Sequence, residues 1–304
     1  MLKSRWTVDN IPDQRGRIAL VTGASSGIGM AAARVLAQKS ATVILAVRNL
    51  AKGKAVAETI RGQFANADVV VRELDLASLA SIATFADAIR REYTRLDLLI
   101  DNAGVMMCPY EKTRDGFEIQ FGTNHLGHFA LTLQLLPLLK KTPGSRVVVV
   151  SSLAHRRGKL DFSDLNWSTR KYRTVQAYCD TKLANLYFTY ELARKLEMEG
   201  NNPKVTAAHP GWTATELQRH LGVFEWLNHV FGQSMAMGAL PTLRAAIDDE
   251  ASPGDYFGPE KFLEQRGYPV HVRSTARSHD LETARRLWNA SEALTGINYA
   301  DYSA

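Results

Sequence analysis

The chain has few cysteines and no long apolar run. Its two cysteines, Cys108 and Cys179, cannot build a disulfide framework or a cysteine-based metal cluster in 304 residues. No stretch reaches the roughly 18 apolar residues that indicate a membrane-spanning helix, and the first residues lack the apolar core of a signal peptide. These absences predict a soluble protein of a reducing compartment, and we expect it in the cytoplasm.

Concentrated charge and metal-ligand spacing are also missing. Lys and Arg number 37 against 31 Asp and Glu, for a net charge of +6, but no basic block is longer than the mixed segment Arg156–Lys159. We therefore expect no nucleic-acid partner. Part of the excess of positive charge is explained by the binding of a phosphorylated anionic cofactor. His128, His155 and His209 belong to no set of residues with ligand spacing, so no metal site is expected.

Glycine is concentrated where an apolar strand meets a helix, in the stretch Leu20–Gly29. Gly23 permits a tight turn, Gly27 lets a ligand phosphate approach the backbone, and Gly29 lets the helix pack closely on the strand. The helix begins with unpaired N–H groups and the positive end of its dipole, which favour a pyrophosphate. An ordinary glycine-rich turn is the alternative, but the apolar run Thr42–Val47 follows at βαβ spacing. The predicted cofactor contacts of this turn are Gly23, Ser25, Ser26, Gly27, Ile28 and Gly29.

The strand Thr42–Val47 ends without the acidic residue that would accept hydrogen bonds from an adenosine ribose 2′-hydroxyl. Arg48 follows it, with Lys52 close by. A guanidinium is permanently charged and binds phosphate oxygens bidentately, which suits a 2′-phosphate. The sequence therefore predicts NADP(H) rather than NAD(H), with a solvated loop arginine as the alternative.

Strand-like and helix-like segments alternate along the chain without repeats or linkers, which predicts an α/β fold with a parallel sheet. The length fits one large domain, although length alone leaves two domains open, and residues 1–15 are expected to form an N-terminal arm. The predicted strands are Ile18–Thr22, Thr42–Val47, Val69–Leu74, Leu96–Ile100, Arg146–Val150 and Val205–Ala208. The predicted helices are Ala31–Ala37, Leu50–Phe64, Leu79–Tyr93, an interrupted Gly116–Lys140 and Val175–Glu199.

Polar residues follow several of these strands at their carboxyl ends. Asp75, Asn102 and Ser152 each come just after a strand, so in an open α/β sheet they lie at the edge where ligands bind. Tyr178 and Lys182 are four residues apart in a predicted helix, which places the phenol beside the ammonium. Each feature taken alone has another explanation. Asp75 and Ser152 could be helix caps, and Tyr178 and Lys182 could be an exposed pair on a helix surface.

Taken together, the motifs resemble the short-chain dehydrogenase/reductase superfamily over about Arg17–Thr215. In chain order they are Gly23-x-x-x-Gly27-x-Gly29, Asn102-Ala103-Gly104, Asn124 in the helix interruption, Ser152, Tyr178-x-x-x-Lys182 and Pro210-Gly211. The strings Asn124–Phe129, Ser151–His155 and Ala177–Asn185 look like the retinol dehydrogenase-like and WW-domain-oxidoreductase-like branch, which includes many bacterial proteins. One departure is Asp101, where the family pattern has asparagine. We expect little effect on the protein, because Asn102, the asparagine that the family uses structurally, is retained.

The resemblance implies a single-domain α/β fold with a Rossmann-type, doubly wound parallel sheet. It also implies an NADP(H)-dependent oxidoreductase that acts on carbonyl or alcohol groups. Tyr178 would be the general acid/base, and the Lys182 ammonium is expected to lower its pKa from about 10. By resemblance, Lys182 also holds the nicotinamide ribose, Ser152 binds the substrate oxygen and Asn124 fixes a water on the proton path. The further cofactor contacts that it implies are Asp75, Leu76, Asn102, Ala103, Gly104, Tyr178, Lys182, Pro210, Gly211 and Thr215.

An apolar stripe follows Pro210-Gly211, within residues 212–238. In the family the corresponding stretch covers the substrate, so the resemblance implies a mobile lid that excludes water and favours a lipophilic or aromatic substrate. The helical spacing leaves open an amphipathic helix packed on its own core or on a second subunit, and few flanking Lys or Arg argue against a membrane-surface role. Its members are Leu217, Leu221, Phe224, Trp226, Leu227, Val230, Phe231 and Met235.

A function of a different class stays open. The same fold would also suit a non-catalytic NADP(H) sensor or a partner-binding protein, because fold alone does not prove activity. The intact set of Ser152, Tyr178 and Lys182 favours catalysis, since a sensor has no need of a paired phenol and ammonium. A small-molecule carbonyl or alcohol is therefore the expected partner, and a homo-oligomer stays open.

Overall fold

One eight-stranded sheet lies at the centre of this computed structural model, which describes residues 5–200, 202–213 and 233–303. The strands are β1 Ile18–Thr22, β2 Thr42–Val47, β3 Asp68–Glu73, β4 Leu98–Asp101, β5 Arg146–Val150, β6 Lys204–Ala208, β7 Tyr256–Lys261 and β8 Arg266–His271. Their order is β3-β2-β1-β4-β5-β6-β7-β8, and every neighbouring pair is parallel except β7 with β8. The strand order reverses between β1 and β4, which is the point where open α/β sheets bind ligands.

Helices cover both faces of this sheet. They are α1 Gly27–Gln38, α2 Leu50–Gln63, α3 Leu79–Glu92, α4 Ile119–Phe121, α5 Gly127–Lys141, α6 Thr174–Glu197, α7 Met235–Ile247 and α8 Leu281–Thr295. One apolar cluster joins the sheet to α1, α2 and α7, and a second joins it to α3, α5, α6 and α8. Neighbouring residues of β1 divide between them, with Val21 in the first and Leu20 in the second. The described chain is thus the predicted single α/β domain with a Rossmann-type, doubly wound sheet.

The core strand β5 explains why a continuous run of valines predicts a central strand. All of Arg146–Val150 is buried, because helices cover both faces of the sheet. Its one charged residue, Arg146, donates from Nη1 to Ala245 O at 3.0 Å and to Asp248 O at 2.9 Å. The guanidinium therefore keeps hydrogen-bond partners inside the protein.

Most of the predicted bounds agree with the structure within two residues, and two do not. Helix α1 begins at Gly27 rather than Ala31, because the glycine turn leads directly into it. The interruption predicted within Gly116–Lys140 is present as a π-helical turn, Gly122–Leu126, before α5, but the helical segment begins at Ile119 rather than Gly116. The sequence made no prediction for β7, β8, α7 or α8.

The expected N-terminal arm packs on the domain from Arg5 onward. Ile11 is 1% exposed and belongs to the first apolar cluster, and Gln14 N donates to Lys39 O at 2.7 Å. The Arg5 guanidinium lies 4.9 Å from the Tyr268 ring centroid. Among the described helices, none has both the length and the apolar character that crossing a membrane requires.

Candidate active site

The glycine turn between β1 and α1 has the left-handed backbone that its sequence predicts. Gly23 and Gly27 adopt φ angles of +67° and +60°. A Cβ on Gly23 would lie 2.9 Å from Ala103 Cα, and a Cβ on Gly29 would lie 2.4 Å from Asn102 Nδ2. Neither position has room for a side chain, so the turn packs tightly against the chain that follows β4.

Helix α1 begins at the carboxyl edge of the sheet without a capping side chain. Ser26 is its N-cap residue, and the Ser26 hydroxyl makes no capping hydrogen bond. Ser25 and Ile28 are partly exposed beside it. The first turn of a helix carries N–H groups that have no intrahelical acceptor. This arrangement fits the pyrophosphate of a dinucleotide.

Arg48 lies directly after β2 with its side chain exposed. The chain then turns into α2, where Asn49 Oδ1 accepts from Lys52 N at 3.0 Å as the helix cap. Lys52 is exposed in the first turn of that helix. Two cations near the end of β2 fit the predicted 2′-phosphate.

Asp75 and Leu76 follow β3, and Asp75 does not cap the next helix. Ala77 N donates to Asp75 Oδ1 at 3.0 Å. The N-cap of α3 is instead Ser78, whose hydroxyl accepts from Ser81 N at 3.3 Å. The helix-cap alternative for Asp75 is therefore wrong, and the carboxylate bonds locally to the turn before α3.

Thr22 joins the end of β1 to the segment Asn102–Gly104. Its Oγ1 accepts from Asn102 N and from Ala103 N, both at 2.9 Å, and Asn102 Nδ2 donates to its carbonyl at 2.8 Å. A Cβ on Gly104 would lie 3.1 Å from Asn124 Oδ1 and 3.7 Å from Lys182 Nζ. The segment therefore lies between the glycine turn and the predicted catalytic residues.

The structure brings the four predicted catalytic residues together at this edge, namely Asn124, Ser152, Tyr178 and Lys182. Lys182 Nζ lies 5.7 Å from the Tyr178 ring centroid and donates to Val150 O, near Ser152, at 3.1 Å. The Ser152 side chain lies close enough to Tyr178 to act on the pKa of its phenol. A phenol, a hydroxyl and an ammonium thus converge beside the sheet.

Asn124 is fully buried in the π-helical turn. Its side chain accepts from Val105 N at 2.8 Å and donates to Val105 O at 2.9 Å and Thr181 Oγ1 at 3.1 Å. Its main-chain carbonyl accepts from His128 Nδ1 at 3.1 Å. Single π-helical turns inside helices occur frequently at functional sites. Here the turn fixes Asn124 between the loop after β4 and helix α6.

Burial shifts the pKa of both members of the Tyr178–Lys182 pair. It raises the pKa of Tyr178 to about 12, although the Ser152 side chain acts in the opposite direction. It lowers the pKa of Lys182 to about 8. The expected lowering of the pKa of Tyr178 is not seen in this structure, where burial disfavours the phenolate and raises the pKa instead.

Asp101, the departure from the family pattern, is fully buried at the end of β4. Its Oδ2 accepts from Thr132 Oγ1 at 2.7 Å, and its Oδ1 has no hydrogen-bond partner among the described residues. Burial raises the pKa of Asp101 to about 8. The carboxyl group is therefore mostly protonated at neutral pH, and Asn102 keeps its own bonds to Thr22.

The chain after β6 is held by the hairpin of β7 and β8. Gly211 adopts a φ of +65°, and a Cβ there would lie 2.3 Å from Gln265 O. Pro210 O accepts from Thr213 Oγ1 at 2.8 Å and from Gln233 Nε2 at 2.7 Å. Thr213 and Gln233 also form a parallel β-bridge. Two distant parts of the chain thus meet at Pro210.

Part of the predicted site lies outside the described residues. Thr215 and the stripe from Leu217 to Phe231 fall between Thr213 and Gln233. Met235 is described: it begins α7 and packs, partly buried, against the first apolar cluster. The lid and the Thr215 contact stay predictions.

Sequence reasoning missed a hydrogen-bonded group beside Pro210, formed by His209, Glu264 and Arg156. His209 is fully buried, and its Nε2 lies 3.1 Å from Glu264 Oε2. Arg156 Nη2 lies 2.9 Å from Glu264 Oε1. Gly211 N donates to His209 Nδ1 at 3.2 Å, so Nε2 carries the imidazole proton and donates to the carboxylate. The only sequence signal was a histidine next to the Pro210-Gly211 motif.

It also missed a polar cluster that ties the loop after β4 to helix α6. Glu118 is fully buried and accepts from the Tyr172 hydroxyl at 2.7 Å. Gln120 Oε1 accepts from Met107 N at 2.8 Å, and its Nε2 donates to Thr174 O at 3.0 Å. These residues are far apart in sequence, so no local pattern indicates the cluster. Across residues 5–200, 202–213 and 233–303, no group of His, Cys, Asp and Glu is arranged to hold a metal ion.

Sequence comparison points to one family. The sequence model of the short chain dehydrogenase family matches residues 17–225. Human retinol dehydrogenase 13 is 45% identical over 293 residues, which cover 93% of this chain and 85% of that protein. Mouse retinol dehydrogenase 12 is 42% identical over 289 residues, with 93% and 88% covered.

Solved structures agree with the sequence comparison. A crystal structure of a protein from Mycobacterium paratuberculosis has a TM-score of 0.83 and 42% identity, and covers 97% of this chain and 99% of its own. A short chain dehydrogenase from Escherichia coli CFT073 complexed with NADPH has a TM-score of 0.62 and 30% identity, with 78% and 93% covered. The similarity therefore extends over nearly the whole chain.

Proposed function

The chain belongs to the short chain dehydrogenase family, and from this premise we propose an NADP(H)-dependent oxidoreductase that interconverts a carbonyl and an alcohol. When bound, the nicotinamide supplies or accepts the hydride. The observation that carries the proposal is the convergence of Tyr178, Ser152 and Lys182 at the carboxyl edge of the sheet. Membership of the family makes the protein an oxidoreductase, and these three side chains would provide the proton donor of the reaction.

Tyr178 is the proton donor in this proposal. Negative charge develops on the carbonyl oxygen as hydride arrives, and a nearby acid must supply a proton. A pKa of about 12 keeps Tyr178 protonated at neutral pH, which suits a donor. Ser152 would bind the same oxygen, and Asn124 would hold a water on the proton path. Lys182 would bind the nicotinamide ribose.

The proposed cofactor contacts follow the strand ends from β1 to β6. The uncapped first turn of α1 would bind the pyrophosphate, and Arg48 the 2′-phosphate. Asp75 and Leu76 would lie at the adenine. Support for NADP(H) comes from the exposed guanidinium after β2 and from the relative complexed with NADPH. The contacts with the rest of the dinucleotide would come from Asn102, Ala103, Gly104, Pro210, Gly211 and Thr215.

The proposed substrate is lipophilic or aromatic. The apolar stripe from Leu217 to Met235 follows the Pro210-Gly211 motif, and the similar proteins named above are retinol dehydrogenases, whose named substrate is a lipophilic alcohol. We also propose a cytoplasmic location, because two cysteines suit a reducing compartment. Because the charge is diffuse, we propose a small molecule and no nucleic acid as partner.

The test is oxidation of NADPH, followed by its absorbance, with a panel of aldehydes and ketones. Tyr178→Phe should lower kcat by roughly 100-fold or more while NADPH affinity stays near wild type, because a proton donor used in the transition state is removed. Lys182→Ala should lower kcat and should also weaken NADPH binding. Full kcat in Tyr178→Phe would contradict the mechanism, and tight NADPH binding without turnover of any compound would favour the sensor instead.

A further inference from the structure

His128 is a fully buried histidine beside the proposed catalytic set. It is the second residue of α5, one turn after Asn124, and only 1% of its surface is exposed. Its Nδ1 lies 3.1 Å from Asn124 O, and its Nε2 lies 2.9 Å from Thr22 Oγ1. One imidazole ring therefore contacts both the π-helical turn and the strand that enters the glycine turn.

The partners of His128 determine where its proton lies. A carbonyl oxygen can only accept, so Nδ1 carries the proton and donates to Asn124 O. Burial lowers the pKa of His128 to about 4, so the ring is neutral and Nε2 accepts. The Thr22 hydroxyl is the donor to Nε2, since the alternative acceptor, Ile100 O, lies farther away at 3.3 Å.

This direction of donation also orders the next bonds. The Thr22 hydroxyl donates to His128, so its lone pairs are available to Asn102 N and Ala103 N, which donate to it at 2.9 Å. The same segment limits the space at Gly23 and Gly29. A continuous hydrogen-bonded chain thus runs from Asn124 O through His128 and Thr22 to Asn102 and Ala103, which pack against the glycine turn.

We propose that His128 is a positioning residue with two separable functions. Its Nδ1–H holds the Asn124 carbonyl in the π-helical turn, and its Nε2 orients the Thr22 hydroxyl that supports the cofactor turn. The inference rests on the proposed function, in which Asn124 lies on the proton path. The imidazole gives up no proton itself, since it is neutral and both nitrogens are bonded.

Two substitutions separate the two functions. In His128→Asn the amide nitrogen occupies nearly the position of Nδ1 and can still donate to Asn124 O, but the Thr22 contact is lost. In His128→Gln the amide oxygen reaches the position of Nε2 and can still accept from Thr22, but the Asn124 contact is lost. Thr22→Val removes the same contact from the other side, together with the acceptor of Asn102 N and Ala103 N, and serves if a His128 variant fails to fold.

The variants are expected to affect different quantities: loss of the Asn124 contact should lower kcat, and loss of the Thr22 contact should raise the Kd for NADPH. His128→Gln should lower kcat about tenfold, the rate equivalent of 1.4 kcal/mol, with the Kd for NADPH near wild type. His128→Asn and Thr22→Val should raise the Kd for NADPH, measured by titration calorimetry, about fivefold with kcat near wild type. Amide hydrogen exchange of residues 119–131 should rise in His128→Gln and stay unchanged in His128→Asn.

His125 provides the matched control, because it is a buried histidine three residues earlier that faces α8 through a 2.9 Å contact between Nε2 and Ser291 Oγ. His125→Asn should lower the melting temperature while kcat and the Kd stay near wild type. Equal effects in the Asn and Gln variants of His128, or a loss of kcat in His125→Asn as large as in His128→Gln, would overturn the proposal. If the wild type turns over no carbonyl compound, the proposed function fails. The Kd and exchange differences then still support the coupling if present and overturn it if absent.

Discussion

Asp101, Tyr178 and Lys182 are ionisable residues whose charged forms are disfavoured by burial at the same edge of the sheet. The pKa of Asp101 rises to about 8, that of Tyr178 rises to about 12, and that of Lys182 falls to about 8. Their ordinary pKa values would charge the carboxyl and the amine fully at neutral pH. At neutral pH the carboxyl group of Asp101 is therefore mostly uncharged, whereas Lys182, with a pKa of about 8, still carries most of its charge.

Asp101→Asn should remove a pH dependence of stability. The folded chain holds a proton on Asp101 up to about pH 8, whereas the unfolded chain releases it near pH 3.8. As the pH rises between these values, the free energy of unfolding of the wild type should fall, relative to that of the variant, by about 1.4 kcal/mol per pH unit. Below pH 3.8 and above pH 8 the difference should be constant.

Urea unfolding from pH 4 to 8 measures this, with Asp249→Asn, an exposed position, as the control. A difference between the wild type and Asp101→Asn that does not change with pH would show that this carboxyl titrates alike in the folded and unfolded chains.

Arg48→Ala should weaken NADPH binding selectively. It removes a charge-assisted contact with the 2′-phosphate, worth about 1.5–3 kcal/mol, while NADH has no phosphate at that position. Fluorescence titration of both cofactors is the measurement, with Lys54→Ala, exposed on α2, as the control. Equal losses for NADPH and NADH would remove the basis for the preference.

At the scale of elements, the turn between β7 and β8 holds the chain around Pro210. Three consecutive residues, Phe262, Leu263 and Glu264, adopt left-handed φ angles of 52°, 56° and 67°. For residues other than glycine this conformation costs about 1–2 kcal/mol each and needs support from its surroundings. The support comes from Glu264, which bonds to His209 and Arg156.

Glu264→Ala should lower the free energy of unfolding by about 1–3 kcal/mol, because the buried His209 N–H loses its acceptor. Glu264→Gln keeps an acceptor oxygen and should lose less. Thermal denaturation compares them, and Glu260→Ala, on the neighbouring strand, is the control. The same loss for the Gln and Ala variants would mean that the hydrogen bond to His209 contributes nothing to stability.

The sequence predicted the elements that depend on local pattern. The run of valines predicts β5, and the glycines predict the turn before α1, from the local sequence alone. The π-helical turn depends on bonds from Asn124 to Val105 and Thr181, which are remote in sequence. Strands β7 and β8 each contain glycine and proline, which weaken strand propensity, so their pairing with β6 and with each other decides the conformation.

At the scale of the whole molecule, one sheet edge collects the residues that the sequence scatters from Gly23 to Gly211. Parallel strands all end on this edge, so a residue placed just after any of them reaches the same crevice. This is why the candidate site residues could be read from the strand ends in the sequence, without knowledge of the fold. The proposed substrate cover, within residues 212–238, does not follow from the strand ends.

A homologous series of aliphatic aldehydes tests the proposed cover. If the stripe buries the chain of the substrate, kcat/KM with NADPH should rise up to about fourfold per added methylene, the equivalent of about 0.8 kcal/mol, until the pocket is full. Phe224→Ala and Trp226→Ala should reduce this slope. A flat series, with those variants lowering only the melting temperature, would assign the stripe to structure.

The meeting of Thr213 and Gln233 at Pro210 has a consequence for how such a chain diversifies. Because Pro210 O binds both residues and a β-bridge joins them, the domain fixes the two ends of the intervening segment at one point. Both ends of this segment are therefore anchored on the domain itself, so relatives can differ in the number of residues between Thr213 and Gln233 while the contacts at Pro210 stay in place.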